Sequence, residues 1–174
     1  MEIFVFSILK IILTIGLFLV SALVIIRYYL NHKKQPVRIQ EQREEQKIIL
    51  PLRLQACERI VLFLDRISIN NLIMRINRPE MSAHQLQAAL TGAIRDEFEY
   101  NLSQQLYLSA KSWMMVKNAK EETIRMINTA SMKVSENAPS AEMVRMLLEL
   151  VLAEEKSAVD TALDEVKREI HQYF

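Results

Sequence analysis

The chain has 174 residues and a formal net charge of +1; 51% of it is hydrophobic, 25% charged and 7% aromatic, with 2 Gly, 4 Pro and 1 Cys. That is long enough for one domain with a core, but the turns of strand-rich and α/β folds draw on glycine, and the dominant residues here are helix formers, so composition predicts an all-α fold. A single cysteine allows no intramolecular disulfide, and a near-neutral chain with a mildly acidic body does not fit a nucleic-acid binder, whose affinity rests on neutralised phosphates.

The first element is "IILTIGLFLVSALVII", Ile11 to Ile26, which carries no charge. About 20 helical residues cross a bilayer core of ~30 Å. Ile11 to Tyr29 meets that length, with Lys10 at one interface and Arg27, Tyr28 and Tyr29 at the other. His32, Lys33, Lys34 and Arg38 follow, and residues beyond 40 carry 17 of the 22 basic but 20 of the 21 acidic residues. The positive-inside rule then predicts a single-pass membrane protein, N-terminus outside and C-terminal part cytoplasmic. A cleaved signal peptide fits less well, because residues 1–9 lack a basic cluster and the apolar run continues past Ala22.

The expected organisation is an anchor at 1–30, a basic juxtamembrane segment and short stalk helix at 31–50, and a cytosolic multi-helix bundle at 51–174. Pro36 and Pro51 are read as helix boundaries, and together with "RPEM" and "APSA" they divide the chain, which separates it from long uninterrupted stalk helices of the kind found in rotary ATP synthases. In the helix after Pro51, Leu54, Cys57, Val61 and Leu64 follow 3–4 spacing, widened by Ile60 and Ile67. Leu62 and Phe63 fall outside that stripe and are candidate partner contacts. Ser82 with Gln85 makes a capping box for a helix buried through Leu86, Leu90, Ala93, Phe98 and Leu102, with His84, Gln87, Thr91, Arg95 and Glu99 wet. Gly92 in mid-helix suggests the close approach of another helix. Ser109 caps a helix from Ala110 to about Val134, with Trp113, Val116, Thr123, Ile127 and Ala130 on its stripe. Met114 and Met115 beside Trp113 are further candidate contacts, since methionine adapts to a partner's surface. Ser140 caps the last region. A Ser157–Asp160 pair leaves open whether 141–174 is one helix or two, with Val159, Leu163, Val166, Ile170 and Tyr173 as its seam.

Site chemistry is sparse. Gly16 and Gly92 are the only glycines, which excludes phosphate loops and dinucleotide folds. His32, His84 and His171 are scattered, so neither a zinc site nor a di-iron bundle is expected. Cys57 in an apolar stripe reads as a buried thiol. Asp96, Glu97 and Glu99 are candidate carboxylates, but such a set is commonly a solvated helix face, and Arg53, Arg59 and Arg66 are available to pair with it. No catalytic, metal or cofactor residue is assigned.

The phrases "LPLRLQACERIVLFLDRI", "EFEYNLSQQLY" and "W..VKNAKEE.I..IN" (Trp113 to Asn128) resemble a family of uncharacterised small bacterial proteins. The resemblance implies one N-terminal span in a bacterial inner membrane and a helical cytosolic domain, and no activity. The expected function is a membrane-anchored helical scaffold that holds a protein partner, or itself, at the bilayer, rather than an enzyme. The alternative is a tethered sensor for a small apolar or lipid ligand inside the bundle.

Overall fold

The computed structural model describes the backbone of residues 2–172 and the side chains of Lys10, of residues 13–29 and of residues 47–172. The chain is all-α: α1 (Glu2–Ile67), α2 (Ile69–Ile76), α3 (Ala83–Asn101), a 3-10 turn (Leu102–Leu106), α4 (Ala110–Ser131), α5 (Ser140–Ala153) and α6 (Ala158–His171). Among the described residues there is no strand, only an isolated bridge between Ser82 and Pro139. The residues form two units, Met1–Ile49 and Leu50–Phe174, and α1 contributes to both.

In the first unit the large apolar side chains from Leu13 to Ile26 are exposed. Their polar neighbours turn back on the helix: Thr14 Oγ1 donates to the Lys10 carbonyl and Ser21 Oγ to the Phe18 carbonyl, both at 2.8 Å. Among the described residues no helix is long and apolar enough to cross a membrane. Ile11 and Ile12, which begin the expected span, lie outside the described side chains, as do Lys33, Lys34 and Arg38.

The expected helix boundary at Pro51 is absent, although the two units divide close to it, and the bounds of α1 enclose Pro36 as well. Pro51 is exposed, so water can satisfy the carbonyl that its missing N–H leaves behind. Pro36 and Pro51 thus do not divide the chain, whereas the expected breaks at "RPEM" and "APSA" are present between α2 and α3 and between α4 and α5.

The second unit holds the core. The end of α1 buries Ala56, Cys57, Ile60, Phe63, Leu64 and Ile67. Leu72 of α2, Leu86, Leu90 and Ile94 of α3, Val116 and Ile127 of α4, Met143 and Leu147 of α5, and Val166 of α6 complete it. The face of α3 is rotated from the expected one. Thr91 is buried, its hydroxyl donating to the Gln87 carbonyl at 2.9 Å. Leu102 is exposed, because the backbone tightens into the 3-10 turn there and moves it off the helical stripe.

Local signals explain most helix starts. Ser82 and Gln85 form the reciprocal capping box, and Ser109 and Ser157 cap α4 and α6. Residues 141–171 form two helices, broken after Ala153. Ser140 is not the cap of α5; Pro139 holds that place. The N–H of Ser140 donates to the Met81 carbonyl at 3.0 Å and its hydroxyl to the Arg78 carbonyl at 3.3 Å. Together with Ala83 N–H donating to the Ala138 carbonyl at 2.8 Å, these bonds clasp the loop before α3 to the loop before α5.

Candidate functional site

The three carboxylates at the end of α3 do not converge. Glu97 is paired with Arg66 at 3.0 Å, while Asp96 and Glu99 are exposed. Arg59 lies over the exposed Tyr100 ring at 5.4 Å. Glu97 and Tyr100 line a shallow groove with Arg66, Arg75 and Asp96, where positive and negative groups answer one another. Among the described residues no group of three His, Cys, Asp or Glu side chains is placed to hold a metal ion.

Of the four candidate contact residues, Leu62 and Met114 are exposed. Met115 is half-buried against the core. Phe63 is fully buried and is not a surface residue. It lies one helical turn from both Ile60 and Ile67, so the core face of α1 is wider than a single stripe. Its ring sits 5.8 Å from Phe98, which stacks on Trp113 at 5.5 Å. Lys120 Nζ covers Phe98 at 4.4 Å. At the expected membrane interface Arg27, Tyr28 and Tyr29 are exposed.

Two buried carboxylates went unread in the sequence. Glu165 and Glu169 stand one turn apart on α6, both facing the first turn of α4. Glu169 accepts from the Ser109 N–H and from Ser109 Oγ, each at 2.8 Å. Ser109 Oγ in turn accepts from the Ser112 N–H at 3.1 Å. Glu165 binds Lys111 and Arg168, each at 2.8 Å. The positive end of the α4 dipole suits both charges. The hydrogen bond from Lys111 outweighs the cost of burial and holds the Glu165 carboxyl below the usual carboxylate range. The available signal was their position: both residues adjoin the Val159–Val166 seam, four residues apart.

The same corner settles the state of Cys57. Burial, and then the charge of Glu169, push its thiol up to about 11 against the pull of Arg53. A nucleophilic cysteine needs the opposite shift, so Cys57 is a protonated core residue at neutral pH.

A separate cleft of about 190 Å³ opens where the start of α2, the middle of α4, the end of α5 and the start of α6 meet. Ile69, Met126 and Val151 supply its apolar wall, and Glu122, Glu154 and Asp160 supply carboxylates. Sequence reasoning missed it because four separate segments build it.

A family model described as "Family of unknown function (DUF7935)" matches residues 3–173, and the chain belongs to that family. No curated protein and no solved structure matches it.

Proposed function

We propose, for this member of a family of unknown function, a membrane-anchored helical module that binds rather than catalyses. It would hold a partner protein, or a further copy of itself, at the cytoplasmic face of a bacterial inner membrane. The observation that carries this reading is the uncharged run from Leu13 to Ile26, whose large apolar side chains are each more than half exposed. Leaving such a surface in water costs roughly 25 cal/mol per Å², and hydrocarbon removes that cost. Arg27, Lys33, Lys34 and Arg38 follow directly and favour a cytoplasmic location for the residues beyond them. The dispersed carboxylates of α3 and the protonated Cys57 support binding over catalysis.

The apolar-ligand sensor has less behind it. Both described clefts carry carboxylates, and burying one against a lipid chain without a partner is expensive. Alkaline carbonate washing of membranes, with protease access to a tag on each terminus, tests the anchor. Retention in the pellet with only the N-terminal tag cleaved from outside is expected. Release into the wash, or the reverse cleavage, would refute it. Crosslinked co-purification of the full chain in mild detergent tests the binding role.

A further inference from the structure

We propose that the cleft between α5 and α6 docks a helical segment of a partner protein that presents basic residues along an apolar face. The proposal rests on the interaction-module reading and names the chemistry of the partner.

The sequence of α5, "SAEMVRMLLELVLA", has more apolar residues than the core takes. Met143 and Leu147 are buried, yet Leu148 is 40% and Leu152 85% exposed. Val151 forms part of the cleft wall, adjacent to Leu152 and one turn from Leu148. An apolar strip on α5 thus runs into the apolar wall of the cleft. At about 190 Å³ the cleft falls below the ~300 Å³ at which small-molecule sites begin. It suits one or two anchoring side chains of a docked protein rather than a cofactor.

Charge selects the occupant. Glu122, Glu154 and Asp160 line the cleft, and no lysine or arginine does. Arg125 answers Glu122 through a 2.8 Å hydrogen bond, and Asp160 accepts from the Ser157 hydroxyl at 2.8 Å. Lys156, which precedes Ser157 of the lining, is engaged by Asp164 at 2.6 Å. Glu154 is exposed and its side chain makes no hydrogen bond or ion pair among the described residues; Arg125, bound to Glu122, feels its charge only at longer range. A partner that brings Lys or Arg beside an apolar anchor complements both the wall and the rim. No described strand edge is present for β-addition, so the fitting mode is a helix laid into a groove.

The test places a photoreactive amino acid at Leu152, and separately at Leu62, in the full chain within its membrane, and sequences the crosslinked peptides. From Leu152 we expect peptides of another protein in which Lys or Arg flank apolar residues at helical spacing. Glu154→Lys should lower that yield at least about fivefold, since like charge at a contact suppresses association. Leu152→Asp should abolish co-purification of the same partner with the full-length chain in mild detergent while leaving the melting curve unchanged, because this side chain lies outside the core. Crosslinks from Leu152 only to a second copy of the chain, only to lipid, only to acidic segments, or to nothing would overturn the proposal. A partner captured at Leu62 alone would overturn the cleft and leave the module standing. No capture at either site, with empty co-purification, would end both.

Discussion

At Cys57 two influences keep the thiol protonated, burial and the neighbouring Glu169, and they raise it from about 9 to about 11. The unfolded chain therefore loses this proton first. Its contribution to stability is fully present below pH 9 and is lost as pH rises through 11, on the order of 2 kcal/mol in all. Denaturant midpoints measured from pH 8 to pH 11 should fall more steeply for this protein than for Cys57→Ala, and equal slopes would show that the thiol is not held in this way. The neighbouring pair Leu62 and Phe63 separates core from surface just as sharply. Phe63 is fully buried among Phe98 and the α1 core residues, so Phe63→Ala should cost about 3–5 kcal/mol. Leu62 is 61% exposed, and Leu62→Ala should change stability by less than about 0.5 kcal/mol. Urea denaturation of the two variants decides it; comparable losses would place Leu62 in the core.

Within α3, Gly92 offers a plain test of helix propensity. A Cβ built there meets nothing within 4 Å, so no neighbouring helix needs the glycine, contrary to what its mid-helix position suggests. Gly92→Ala should stabilise the protein by about 1 kcal/mol, read as a raised melting temperature; a loss would mean that a neighbour does approach closely. Elements of this kind were legible where their signals are local. The Ser82–Gln85 box and the Ser109 and Ser157 caps need only residues within one turn, and each was readable from spacing. The signals that failed were tertiary. Ser140 looks like a cap until Arg78 and Met81, some 60 residues earlier, take its hydroxyl and N–H. Glu165 and Glu169 look solvent-facing until Lys111 and Ser109 are brought against them. Leu102 looks buried only if α3 keeps its 3.6-residue period past Asn101, and it does not. The cleft suffered most: the Ser157–Asp160 cap at its rim marks a helix start, and only the fold brings α2, α4 and α5 to it.

For the whole molecule, the burial pattern bears on which part of the chain folds independently. Among the described residues nothing before Ala56 is buried, and the core is drawn from Ala56 through Val166. The clasp between the loops before α3 and α5 and the Glu169–Ser109 bonds also lie wholly within the second unit. A fragment beginning at Leu50 thus keeps every residue described as buried. It should unfold in one cooperative transition with a melting temperature within a few degrees of the full chain in detergent, because a 1 kcal/mol change moves a domain of this size by about 4 °C. It should also fractionate away from membranes while the full chain stays with them. Circular dichroism melting and fractionation of the two proteins decide both points. If the fragment melts without cooperativity, residues 2–49 must support the core through contacts that burial does not reveal. If it stays on membranes, the second unit has its own affinity for lipid, and Leu62, Tyr100 and Leu106, all exposed, become the first residues to replace by aspartate.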